Sequence, residues 1–263
     1  MKLSIVASVP DNRRFSPFQK GAELVSKLGY DGVELSIRDP RRIEEKKLVK
    51  TLSDLELQAS CIITGRGFSI DGLSLVDPST RRRKLAVQRI KDHILLARGL
   101  SSIVLIGWMR GIWKHDRMRS RKTFSEALGV CAEFARDNGV LMGIESINRY
   151  EVDSINTLDE ALVTVREVGL PNIGIVADTF HMNIEENEPI YEKIRICKNR
   201  LFHVHISDNN RKVPGAGHLP FRRFFHTLRQ ISYDGFISVE VVPPEPSFAS
   251  IAEGSMKYLQ KIV

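Results

Sequence analysis

Cysteine is scarce in this chain, and long apolar runs are missing from it. Cys61, Cys131 and Cys197 are the only three cysteines in 263 residues. An odd number at wide spacing argues against a disulfide framework and points to buried thiols in a reducing, cytoplasmic setting. No apolar stretch approaches the ~20 residues that cross a bilayer, so no membrane partner is expected. Met1-Lys2-Leu3-Ser4-Ile5-Val6 turns polar too quickly for a signal peptide and reads as a first strand. No glycine-rich dinucleotide loop follows that strand. The net charge is +7, concentrated in Arg81-Arg82-Arg83-Lys84 and in the stretch from Arg110 to Lys122. Neither cluster carries the interleaved aromatics of single-strand binders. A nucleic-acid partner is therefore not expected; a basic solvated surface, or attraction of a small anion, accounts for the excess.

What is present is alternation. Strand candidates are Leu3–Ser8, Gly32–Ser36, Gln58–Ile63, Ser102–Ile106, Val140–Ile144, Ile173–Ala177, Leu201–Ile206 and Phe236–Val241. Several are continuous Val/Ile/Leu runs, as parallel strands covered on both faces require. Amphipathic segments lie between them. Phe124, Ala127, Leu128, Cys131, Phe134 and Ala135 mark one helix, Leu85, Ile90, Ile94 and Leu95 another, and Phe248, Ile251, Ala252, Met256 and Leu259 a closing one. Asp77-Pro78-Ser79 offers a helix cap. Eight strand–helix units of roughly thirty residues predict an α/β fold, a single (β/α)8 TIM barrel over residues 1–263, with its active face at the C-terminal ends of the strands. Leu28-Gly29-Tyr30-Asp31-Gly32-Val33-Glu34 is echoed by Ile231 to Glu240, with Asp-Gly opening a strand in each.

Chemistry gathers at the last four strand ends. Glu145, Asp178, His205 and Glu240 fall at or just past the ends of strands five to eight, so neighbouring strands each offer one ligand to the same mouth. Three carboxylates and one imidazole form an oxygen-dominated donor set. Such a set suits one divalent ion, Mn²⁺ first, with Mg²⁺ or Co²⁺ as alternatives, and lacks the thiolates that select zinc.

The segments Glu145-Ser-Ile-Asn-Arg-Tyr-Glu151, Asp178-Thr-Phe-His-Met-Asn-Ile-Glu-Glu186, and His205-Ile-Ser-Asp-Asn-Asn-Arg211 with Pro214-Gly-Ala-Gly-His-Leu-Pro-Phe221 resemble the xylose isomerase-like barrel superfamily. Within it, the chain most resembles the ketose 3-epimerases of the tagatose/psicose (allulose) type. The resemblance implies that Glu145 and Glu240 are both metal ligands and the acid/base pair, with Asp178 and His205 completing the metal site. It also implies that Glu151, His181 and Arg211 bind the sugar. The activity it implies is interconversion of C3 epimers of a ketose through a cis-enediolate. Homodimers or homotetramers are likewise implied by the family alone.

Two other readings share the barrel. An aldose–ketose isomerase would move protons between C1 and C2. An abasic-site endonuclease would need a multi-metal cluster, for which seven histidines, with His93, His115 and His226 off the strand ends, are too few. His203, next but one to His205, is expected to point away from the ligands. The first four loops match only loosely: Ser8 to Arg14, Thr64 to Phe68, Trp108 and Trp113 are candidate pocket segments. Arg110 to Lys122 is a phosphate site or, preferably, a solvated basic face. The role of Glu34 is open.

Overall fold

The apolar runs form strands almost where their sequence places them. The computed structural model describes residues 1–10, 15–113, 116–243 and 246–263. Strands β1 (Lys2–Val9), β2 (Gly32–Ile37), β3 (Gln58–Ile63), β4 (Ile103–Ile106), β5 (Met142–Glu145), β6 (Ile173–Asp178), β7 (Leu201–Ile206) and β8 (Phe236–Val239) pair in chain order. All the pairings are parallel, and β8 closes on β1 through Ser4 opposite Ser238. Helices α1 (Ser16–Lys27), α2 (Glu45–Asp54), α3 (Arg66–Ser69), α4 (Thr80–Leu100), α5 (Arg117–Asp137), α6 (Leu158–Val168), α7 (Thr179–Glu185), α8 (Ile190–Lys193), α9 (Phe221–Gln230) and α10 (Phe248–Leu259) lie between or after the strands. The structure is a closed (β/α)8 barrel.

Side-chain alternation along the strands sorts the interior. Ile5, Val33, Leu35, Ile62, Val104, Ile144, Ile175, Val204, Ile237 and Val239 join one large apolar core with helix residues such as Ala86, Leu128 and Phe224. Cys61, Leu105 and Val176, of the opposite parity, form a small separate cluster. Ser4, Glu34, Glu145, Asp178, His203, His205 and Ser238 share that parity and are buried. Largely apolar packing therefore holds the helices to the sheet, while the opposite face of the strands carries the small and polar side chains.

Local signals explain the helix ends. Ser79 caps α4 by accepting from the Arg82 amide at 3.4 Å. Thr157 and Glu160 form a reciprocal capping box on α6. The reading of α4 needs one correction: Leu85 and Leu95 are exposed, at 52% and 39%. The buried stripe of α4 instead includes Ala86, Arg89, Ile90, His93, Ile94 and Ala97. Two of these are polar, and they satisfy the end of β2. Arg89 donates to the Arg38 carbonyl at 2.7 Å and to Asp71 at 2.9 Å, and His93 lies 3.1 Å from the Ile37 carbonyl. All three cysteines are free and buried. Among the described residues, no helix is long and apolar enough to cross a membrane.

Candidate metal centre and its mouth

Residues from β5, β6 and β7, and one immediately after β8, converge. One ligand atom each from Glu145, Asp178, His205 and Glu240 lies within 4.8 Å of the others. Nδ1 of His205 is the focus, 3.1 Å from Glu145 Oε1, 3.4 Å from Glu240 Oε2 and 3.9 Å from Asp178 Oδ2. Asp178 uses Oδ1 to cap α7, accepting from the amides of Phe180 at 2.7 Å and His181 at 3.2 Å. Its Oδ2 is buried with no hydrogen-bond partner. A buried carboxylate oxygen without a donor is costly, and a cation shared with the other three groups would satisfy it. The donor set therefore fits a divalent ion. Gly107, at the end of β4, leaves the space: a Cβ there would lie 2.7 Å from Glu145 Oε2.

Electrostatics within the cluster pull in both directions. Burial pushes Asp178 up to about 6, with Glu240 and Glu145 adding to the rise and His181 and His205 opposing it. Burial also disfavours the Glu240 carboxylate, but His205 and Arg211 outweigh it and hold that group at about 2. His205 is held well above the ordinary histidine value because Glu34 and Glu240 prevail over desolvation. A cation that takes Nδ1 as a ligand displaces its proton, so metal uptake and proton release are linked.

Glu34, whose role the sequence left open, orients that imidazole. It is fully buried and spans both histidines of β7, with Oε1 2.9 Å from His205 Nε2 and Oε2 2.9 Å from His203 Nε2. A carboxylate on Nε2 leaves Nδ1 as the ligand atom and raises its basicity. His203 therefore does not point away. Residues two apart in a strand share a face, and the two rings meet edge-on with centroids 5.2 Å apart. The signal was available: a lone Glu in the apolar strand Gly-Val-Glu-Leu-Ser-Ile needs a buried partner.

The sugar-binding candidates form a second braced group. The Asn148 side-chain amide donates to Glu151 Oε1 at 3.0 Å and lies 2.7 Å from His181 Nδ1. Its carbonyl accepts from the Tyr150 amide at 3.0 Å, which fixes the amide orientation and leaves the His181 proton on Nε2, 4.0 Å from Asp178 Oδ2. Glu151 is ion-paired to Arg211, whose guanidinium lies 4.7 Å from the centre of the Phe180 ring. Arg149 instead pairs with Glu185 at 2.8 Å. Arg211 has a φ of +58°, held by a loop wound on buried Asp208. That carboxylate accepts from Gly215 N at 2.8 Å and Leu219 N at 3.1 Å, while the Arg211 amide donates to the Asp208 carbonyl at 2.8 Å.

A cavity of about 180 Å³ opens over these groups, with Glu145, His181, Arg211 and Glu240 in its wall. Glu151 does not line it and reaches it through Arg211 and Asn148. The opposite wall contains Ser36, Ile63, Gly65, Arg66 and Trp108. Trp113 packs on Phe124 with centroids 5.6 Å apart and belongs to the core. Arg110 is neither a phosphate ligand nor a solvated base. It is wholly buried and donates to the carbonyls of Gly107 (3.0 Å), Ser154 (3.0 Å) and Ile155 (2.9 Å), and to that of Glu145. Burial lowers it to about 10, still a cation near neutrality. Arg117, Arg119, Arg121 and Lys122 lie on the outer surface or partly so. Lys114, His115 and residues 11–14 lie outside the described residues.

With this geometry in hand, comparison with known proteins is decisive for family. Residues 22–262 match the xylose isomerase-like TIM barrel family. The chain belongs to that family. Curated relatives include a D-psicose 3-epimerase of Enterocloster bolteae, 31% identical over 91% of this chain and 82% of the relative. An L-ribulose 3-epimerase of Methylomonas sp. is 31% identical over 84% of this chain and 79% of the relative. Among solved structures, a D-allulose 3-epimerase from Methylomonas sp. superposes with a TM-score of 0.86 at 22% identity, covering 100% of this chain and 98% of that one. At that identity the superposition speaks for the family's fold alone.

Proposed function

We propose that this chain is a divalent-metal-dependent ketose 3-epimerase in which Glu145 and Glu240 are the proton-transfer pair. The observation that carries the reading is the convergence of Glu145, Asp178, His205 and Glu240 within 4.8 Å, with Asp178 Oδ2 buried and without a hydrogen-bond partner. The names of the relatives, epimerases at about three-tenths identity, support the same reaction. Mn²⁺ suits this oxygen-rich set best, with Mg²⁺ and Co²⁺ as alternatives. When bound, the ion would supply Lewis acidity toward the oxygens of the ketose.

The chain's residues do the rest. Inverting C3 requires a base on one face of the sugar and an acid on the other. Glu145 and Glu240 come from strands on either side of β6 and β7 and both approach His205 Nδ1. In the reacting state one of the pair is a carboxylate and the other a carboxylic acid. The carboxylate takes the C3 proton and leaves a cis-enediolate, the acid gives its own proton to the opposite face, and the roles exchange in reverse. His181 presents an Nε2–H donor toward the cavity, held by Asn148. Arg211, buttressed by Glu151 and Phe180, supplies cationic donors to the substrate oxygens.

The test is incubation of a panel of ketoses with the Mn²⁺-loaded protein in D₂O. The epimerase reading expects deuterium at C3 and appearance of the C3 epimer. Label confined to C1 would replace it with an aldose–ketose isomerase.

A further inference from the structure

Among the described residues, the wall of the cavity supplied by β1–β4 and their loops contains a single charged side chain. Ser36, Ile63, Leu105 and Trp108 present hydroxyl or apolar surface, and Arg66 stands among them. Its guanidinium donates to the Ser8 hydroxyl at 2.5 Å. Among the described residues no carboxylate pairs with it. Two acids in the loops after β2 and β3 are committed elsewhere: Asp71 accepts from Arg38 at 3.0 Å and from Arg89 at 2.9 Å, and Asp39 accepts from Arg41 at 3.1 Å. Arg211, the cavity's other arginine, already has Glu151 as counter-ion. A guanidinium carries five N–H donors in a planar fork that matches an oxyanion, and one serine hydroxyl leaves most of that capacity unspent.

The base of Arg66 is rigid. The Thr64 hydroxyl, buried, donates to the Leu105 carbonyl at 2.8 Å, and the Gly67 amide donates to the Thr64 carbonyl at 2.9 Å. Gly67 lies so close to Met109 that a Cβ would come within 2.8 Å of its sulfur. The loop therefore fixes where the arginine leaves the backbone. The candidate ligands all come from the β5–β8 side, so the reacting carbons sit there and the remainder of an open-chain sugar extends toward β1–β4.

We propose that Arg66 selects ketoses bearing an oxyanion, a carboxylate or a phosphate, at the end remote from the carbonyl. The proposal rests on the ketose epimerase reading and names its substrate class. The net charge of +7 favours approach of such anions.

The test compares neutral ketohexoses, their 6-phosphates and the corresponding 6-carboxylates, using the Mn²⁺-loaded wild type, Arg66→Ala and Arg66→Lys. The wild type is expected to show a kcat/KM for its best anionic ketose at least about ten-fold above the neutral counterpart, the scale of a charge-assisted hydrogen-bonded pair. Arg66→Ala lowers that anionic-to-neutral ratio by about ten-fold or more, chiefly through KM, and Arg66→Lys restores part of it. The better arm tells carboxylate from phosphate. Calorimetric binding of the same sugars gives a readout that needs no turnover. If no ketose exchanges at C3 but an anionic sugar binds about ten-fold more weakly to Arg66→Ala, the epimerase reading falls and the anion site stands. A wild type that prefers neutral ketoses, or an anionic-to-neutral ratio and binding that Arg66→Ala leaves unmoved, overturns the proposal.

Discussion

The two halves of the barrel mouth are built on opposite terms. On the β5–β8 side the principal groups of the site are each held by another: Asp178 by the α7 amides, His181 by Asn148, Arg211 by Glu151, and its loop by Asp208. On the β1–β4 side the lining is, among the described residues, largely hydroxyl and apolar, with one arginine joined to one serine. Preorganised groups suit reaction chemistry, which loses rate when geometry loosens. A sparsely polar wall suits discrimination, where one contact changes the preferred ligand. On the proposed reading, reaction and selectivity reside on different strands of one fold.

The largest expected effect lies on the first side. Glu145→Gln and Glu240→Gln each remove one of the proposed proton-transfer groups, and C3 exchange in D₂O is expected to fall by about 10²–10⁴ while the thermal transition is kept. Retention of exchange in either variant would break the division of labour. Removal of the ion by a chelator should abolish exchange and Mn²⁺ should restore it, with Asp178→Asn needing more Mn²⁺ for half-recovery.

Next comes Glu34→Gln, which weakens the brace on His205 without touching the ligand cluster itself. Its Mn²⁺ affinity, measured by calorimetry, is expected to fall by about 10–100-fold. Arg110→Met tests bracing from the other side of the mouth, since it strands four buried carbonyl acceptors. A loss of about 3 kcal/mol is expected, lowering Tm by about 6–12 °C in a domain of this size. The smallest effect is expected on the outer surface. Arg121 pairs with Glu167 with both side chains about half exposed, and Arg121→Ala should change kcat/KM less than about two-fold. A larger change would move the α5 basic face into the site.

Legibility in the sequence followed the same divide. The barrel could be read because its strands are continuous apolar runs, and each run in the second half ends on a carboxylate or runs up to and past an imidazole. Glu145, Asp178, His205 and Glu240 were visible as interruptions of apolar character at regular spacing. Glu34 was not assigned because its partners lie on β7, across the barrel, and only closure brings them together. His203 was misplaced by an error of parity rather than by lack of signal. Arg110 read as one of a basic cluster, yet its position just after β4 turns it inward while Arg117, Arg119, Arg121 and Lys122 on α5 are exposed. On α4, the inward polar residues Arg89 and His93 displaced Leu85 and Leu95 to the surface. Periodicity of apolar residues could not show that, because the buried stripe there is partly polar.

The fork of Glu34 onto His203 and His205 has a consequence for assembly. Glu34 and His205 are 171 positions apart in the chain, joining the first quarter of the polypeptide to the last third. The four candidate ligands lie between residues 145 and 240, so a fragment beginning after β4 would carry all of them and still lack the group that sets His205. On the proposed reading, full-strength ion uptake waits for the early strands to dock. During refolding, tight Mn²⁺ capture would mark the moment the ring closes.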